Sequence, residues 1–265
     1  MSGLSIDIAS AGYRGRNVLS DIEVARLPPA SLAALVGPNA AGKSTLLKAL
    51  AGLISARGSA FFEARDLLRM PLTERVRTVA YLPQSLPQSS PLVAYEAVLS
   101  AVRATRAELS RRGAEDAVER VFTELGIRDL ALRALSEMSG GQRQMIGLAQ
   151  IMARAPRLML LDEPTSALDL HWQMDVIAAV RRATRQSGIT ALIAVHDINL
   201  AIRSCDIVIV IADGRLLAAG PPNEVLTADI IRRAYGVEAR IEHCSRGKPF
   251  ILIDGAADRI THAND

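Results

Sequence analysis

The chain is poor in aromatic side chains: four Phe, four Tyr and one Trp make 3% of its 265 residues. A surface that binds nucleic acid by stacking bases draws on more rings than that, so no nucleic-acid partner is expected. Cysteine is scarce too. Cys205 and Cys244 stand at no metal-ligand spacing, which predicts reduced, inert thiols rather than a disulfide framework. No apolar run approaches the roughly 18 residues needed to cross a bilayer. The best runs, Ile189–Val195 and Ile207–Ala212, are strand-length. No basic segment followed by an apolar stretch opens the chain, so no secretory leader is expected. Lysine is nearly missing. Only Lys43, Lys48 and Lys248 accompany 28 arginines, a skew we read as GC-rich coding bias, and each lysine stands out for it.

What remains is ordinary globular composition, 49% hydrophobic and 22% charged, with a net charge of +3 spread along the chain. The length suits one large α/β core, or a core with a smaller insert. Buried strands are predicted at Ser31–Val36, Thr78–Leu82, Leu158–Leu161, Thr190–Val195 and Ile207–Ile211. They lack strict alternation, as parallel strands covered on both faces do. Leu4–Ile8 and Asp21–Pro29 read as peripheral strands, and Val237–His243 with Pro249–Ile253 as a hairpin. Between about Pro87 and Ala155 the period becomes helical, through Ala94–Leu109, Ala114–Leu125 and Gln142–Arg154, which predicts an inserted helical lobe.

Three local patterns carry chemistry. Gly37-Pro38-Asn39-Ala40-Ala41-Gly42-Lys43-Ser44-Thr45 fits G-x-x-x-x-G-K-[ST] between a predicted strand and the predicted helix Ser44–Ala51. Glycines let backbone amides turn inward around phosphates, and the helix N-terminus adds partial positive charge. Lys43 can reach the β- and γ-phosphates, Ser44 can ligate Mg²⁺, and Thr45 can touch the α-phosphate. Ala40 can fit if its φ is negative, since Gly37 and Gly42 keep the demanding positions. Next, the apolar strand Leu158–Leu161 runs into Asp162-Glu163, which delivers two carboxylates to the carboxyl edge of a parallel sheet. Asp162 suits Mg²⁺, and Glu163 suits a water that attacks phosphorus. Finally, Ser139-Gly140-Gly141-Gln142 opens a predicted helix 23 residues before Asp162, a second anion-accepting helix end.

Together these residues resemble the ATP-binding-cassette (ABC) family: Gly37–Thr45 its Walker A, Leu158–Glu163 its Walker B, Ser139–Gln142 its signature loop. Gln84 resembles the Q-loop glutamine, Ser166-Ala167-Leu168-Asp169 the D-loop, His196 the switch histidine, and Tyr13 the ring that stacks on adenine. The resemblance covers roughly residues 4–253. It implies an α/β fold: a P-loop NTPase core with a mostly parallel sheet, peripheral antiparallel strands and an inserted helical subdomain. Residues 1–265 would form a single ATP-binding domain, with the core at about 1–86 and 156–265 and the helical subdomain at about 87–155. It also implies ATP and Mg²⁺ as ligands, the metal held by Ser44, Gln84 and Asp162, and catalysis by Lys43, Gln84, Glu163 and His196. Two copies would sandwich ATP head to tail, with Ser139–Gln142 of one facing Lys43 of the other and Asp169 at the seam.

Met138 stands where the family's signature usually has Leu, an exchange of one flexible apolar residue for another. Segments Asp169–Gln173, His196–Ala201 and Gly214–Leu226, with Tyr235-Gly236-Val237 before the hairpin, resemble the metal-chelate importers for iron–siderophore, haem and cobalamin. That group implies integral-membrane permease subunits, a periplasmic or extracellular substrate-binding protein, and a peripheral place on the cytoplasmic face of the cell membrane. A non-transport ABC ATPase, and a nucleotide binder without turnover, are the rival readings. One cassette without coiled-coil or zinc inserts speaks against the first, and Glu163 with His196 against the second.

Overall fold

The structure is a computed structural model, which describes residues 3–86, 91–166 and 168–257. The chain opens with a long hairpin, β1 (Leu4–Tyr13) and β2 (Arg16–Leu27), then enters the core at β3 (Leu32–Val36). Helix α1 (Lys43–Leu50) leads to β4 (Ala56–Phe62), β5 (Arg65–Asp66), α2 (Leu72–Thr78) and β6 (Val79–Leu82). Helices α3 (Ala94–Thr105), α4 (Arg111–Glu124) and α5 (Gly140–Ala153) intervene before β7 (Leu158–Asp162). Then follow α6 (Leu170–Ser187), β8 (Thr190–Ala194), α7 (Ile198–Ser204), β9 (Ile207–Ala212) and β10 (Arg215–Gly220). Helices α8 (Pro222–Val225) and α9 (Ala228–Tyr235) precede a closing hairpin, β11 (Val237–His243) and β12 (Pro249–Ala256).

Among the described residues, six strands form the central sheet in the order β10-β9-β3-β8-β7-β6. Its neighbours pair in parallel except β10 on β9. A second sheet, β2-β1-β4-β5, is antiparallel. Every residue of β3, β7 and β8 is buried, yet period two still sorts their side chains. Leu32, Ala34 and Val36 join Met159, Leu161 and Ile193 in a core against α3, α4, α5 and α6. Ala33 and Leu35 join Leu158, Leu160 and Leu192 in a core against α1 and the antiparallel sheet. The central sheet is therefore a wall between two apolar layers, which is why its strands read as unbroken apolar runs.

Several predicted boundaries shift. Thr78 closes α2 instead of opening a strand, and the predicted helix Ala94–Leu109 stops at Thr105. The peripheral strands are longer than expected, because β1 and β2 pair along their whole length from Leu4↔Leu27 to Tyr13↔Arg16. The expected start of the helical lobe at Pro87, and Ala167, lie outside the described residues. Cys205 is buried, which pushes its thiol up to about 12. Cys244 is exposed, and backbone amides of its turn lower its pKa.

Candidate active site

Strand order brings the chemistry together. β3 lies beside β8, and β8 beside β7, all parallel, so the chain leaves Val36, Asp162 and Ala194 at one edge of the sheet. The loop after Val36 is shaped by two glycines. Gly37 has φ 151° and Gly42 φ 107°. A side chain at Gly37 would strike the Ile211 carbonyl, and one at Gly42 the Leu19 side chain. Gly42 caps α1 without a side-chain hydrogen bond, which leaves the helix end to an anion. Ala40 departs from expectation: its φ is +62°, not negative. The turn needs a left-handed residue there, and Ala accepts it at a cost of about 1–2 kcal/mol.

Lys43 is buried at the base of the loop, its Nζ donating to the carbonyls of Gly37 (2.8 Å) and Pro38 (3.0 Å). Burial lowers its pKa, while Glu163 and Asp162 pull the other way. Ser44 Oγ donates to Asp162 Oδ1 at 2.8 Å, and Tyr81 OH donates to Asp162 Oδ2 at 3.0 Å. Glu163, next in the chain, has φ +50°, a conformation that costs roughly 1–3 kcal/mol and clusters at functional sites. It presents its carboxylate to different partners. Gln84 Nε2 donates to Oε2 at 2.6 Å, and His196 Nε2 lies 2.5 Å from Oε1.

A hydroxyl and a carboxylate 2.8 Å apart at the mouth of a phosphate loop are hard oxygen donors, the type Mg²⁺ takes. Among the described residues, no three His, Cys, Asp or Glu cluster at metal-binding distances. The Ser44–Asp162 pair fits a cation that would arrive with phosphates and take its remaining ligands from them. Gln84, expected among the metal ligands, donates its Nε2 to Glu163 in this structure.

Tyr13 is 48% exposed at the end of β1. Lys48, in the last turn of α1, sits 5.9 Å over that ring and donates to its hydroxyl at 3.4 Å. Sequence reasoning missed both Lys48 and Tyr81. The signal lay in scarcity: three lysines and four tyrosines in all, with Tyr81 the polar residue of an apolar strand.

Ser139 caps α5 in a reciprocal box: its Oγ accepts from the Gln142 amide, and its own N–H donates to Gln142 Oε1. An added side chain at Gly140 would meet nothing within 4 Å. Asp169 caps α6 by accepting from the Trp172 amide at 3.0 Å. Ser139, Gly141, Gln142 and Asp169 share one small concavity with Trp172, and no residue of 37–45 lines it.

A parallel sheet whose carboxyl edge carries a phosphate loop, a lysine, a Ser–Asp pair and a poised glutamate defines a P-loop nucleoside-triphosphate hydrolase. Residues 21–166 match the ABC transporter family, and the chain belongs to it. It is 38% identical over 240 residues to the hemin import ATP-binding protein HmuV of Bordetella pertussis, covering 86% of this chain and 89% of that one. It is 30% identical to the iron(3+)-hydroxamate import ATP-binding protein FhuC of Bacillus subtilis, covering 91% and 90%. Its fold matches a chain of an inward-facing transporter assigned to the metal-chelate type, with a TM-score of 0.78 at 21% identity, over 97% and 99%. The chain is an ATPase of the ABC type with a mostly parallel α/β core, as the motifs imply.

Proposed function

We propose that this ATPase energises import of a metal chelate through separate permease subunits. The observation that carries the reading is the convergence of Lys43, the Ser44–Asp162 pair and Glu163 with His196 at one sheet edge. When ATP enters, Lys43 exchanges the loop's own carbonyls for β- and γ-phosphate oxygens, a stronger charge-assisted set. Residues Gly37, Pro38, Asn39, Ala40, Ala41, Gly42 and Thr45 wrap the phosphates, and Tyr13 stacks on adenine. Ser44 and Asp162 hold Mg²⁺, which when bound neutralises phosphate charge. Glu163 takes the proton of the water that attacks the γ-phosphorus as the bridging P–O bond breaks, releasing ADP and phosphate. His196 orients Glu163 and meets the γ-phosphate.

A second copy completes the site. Ser139 and Gly140 stand exposed and Gly141 and Gln142 half-buried at a helix end, away from the loop of their own chain, where they would face the partner's nucleotide with Asp169 at the seam. The open space at Gly140 suits that approach. A groove lined by Leu86, Leu92, Ala97, Ile146 and Gly147 continues from the Gln84 segment. It supports docking of the permease there, with Gln84 linking that contact to Glu163. No helix among the described residues is long and apolar enough to cross a membrane, and we place the chain peripherally on the cytoplasmic face. A substrate-binding protein would act through the permease. Within the cargo class, the sequence resemblance points first to iron(III)–siderophore, and the 38% identity to a hemin protein favours haem as the second reading.

Glu163→Gln tests the mechanism. It should lower ATP turnover by about 10²-fold or more and accumulate an ATP-bound dimer on gel filtration. Turnover near wild type would overturn the assignment of the base.

A further inference from the structure

The geometry points to Tyr81 as a positioning residue for the divalent cation that accompanies ATP, an inference that rests on reading Ser44 and Asp162 as its holders. Each oxygen of the Asp162 carboxylate has its own donor, and the two donors come from different elements. Ser44 Oγ in the first turn of α1 reaches Oδ1 at 2.8 Å, and Tyr81 OH on β6 reaches Oδ2 at 3.0 Å. The register explains the second contact. Tyr81 lies beside Leu160 in the parallel pair β6–β7, and Asp162 follows Leu160 by two residues on the same face. The Tyr81 ring packs among the apolar side chains of the α1 layer, so its hydroxyl is carried to the sheet edge on a braced stem.

The consequence is orientation. The terminal torsion of an Asp side chain is broad, and one donor leaves the carboxylate free to swing about that contact. Donors on both oxygens fix its plane. They still leave lone pairs for a cation, since an ionised carboxylate offers about four acceptor positions. Ser44 must also serve the cation, so Tyr81 is the donor whose work is confined to Asp162. Groups that orient a metal ligand without touching the metal typically change metal affinity by about 10–100-fold when removed.

The test uses the full chain and a fluorescent ATP analogue, with Mg²⁺ titrated at fixed nucleotide and binding in EDTA as the baseline. Tyr81→Phe keeps the packed ring and deletes the hydroxyl. It should raise the Mg²⁺ midpoint about tenfold while binding in EDTA stays within about twofold of wild type. Tyr81→Met, which removes the ring as well, should raise the midpoint at least as far. The proposal is overturned if Tyr81→Phe titrates like wild type, or if only Tyr81→Met shifts, since packing would then be the whole of the residue's role. Thermal melting in EDTA checks folding, and Tyr81→Phe should melt near wild type. A wild-type chain without any Mg²⁺ midpoint would instead remove the reading of Ser44 and Asp162, and that of Tyr81 with it.

Discussion

Ala40 holds a left-handed backbone, φ +62°, inside the loop Gly37–Thr45. Its Cβ crowds the following carbonyl there, which Gly would not do. Glycine adds freedom to the unfolded chain, which offsets part of the relief. Ala40→Gly should therefore stabilise the fold by about 1 kcal/mol, a rise in Tm of roughly 2–3 °C. A fall in Tm by differential scanning calorimetry would contradict the strain. The motif pattern leaves this position open, so its residue type was legible and its φ was not. Backbone conformation depends on where Gly37 is pinned by Ile211 and Gly42 by Leu19, contacts from distant strands. The same holds for Glu163. Its place after an apolar strand marks it in the sequence, while its φ of +50° and its two partners come from β6 and β8 arriving on either side of β7.

At the scale of elements, α5 joins the Ser139–Gln142 end to the packing against β6. Its N-terminus is finished by the Ser139–Gln142 box, which leaves Gly140 exposed. About two turns further on, Gly147 lets the helix lie against β6. A Cβ at Gly147 would press on side-chain ends of Leu86 and Leu82. Leu82 is buried and cannot yield, while Leu86 belongs to the segment just after Gln84. Gly147→Val should cost about 2 kcal/mol by overpacking, roughly 4–8 °C in Tm, and weaken permease association through the displaced Leu86. A melting curve unchanged from wild type would show that the contact is slack. The helical period of α5 was plain in the sequence, and so was its start to within two residues, because a Ser-Gly-Gly-Gln opening and an apolar stripe are both local. Its pressure on Leu86 was not, since β6 is reached only through the tertiary fold.

For the whole molecule, the question is what the ATPase drives. The cargo of an importer passes through the permease, so in the proposed reading this chain would carry the engine and the groove that docks it. Deleting its gene should abolish growth on a ferric siderophore as sole iron source and spare growth on inorganic iron. Loss of growth on haem alone would move the cargo to the second reading, and growth unimpaired on every chelate would overturn import of that class. Restoration should require Glu163, since the Gln variant keeps the dimer but not the turnover.

The sequence by itself determined the kind of chemistry. A phosphate loop, a strand-end carboxylate pair and a glycine-flanked helix start are contiguous patterns, and contiguous patterns survive without a fold. The scarcity of lysine even singled out Lys43. Only the tertiary structure decided how those parts are wired. It set Tyr81 and Ser44 on the two oxygens of Asp162, Gln84 and His196 on the two oxygens of Glu163, and Lys48 over Tyr13. Each of these contacts joins residues at least 33 positions apart, and the Ser44–Asp162 hydrogen bond spans 118. The physical reason is that a side chain's partner is chosen by strand order and register, and those follow from burying two apolar layers at once on either side of one sheet.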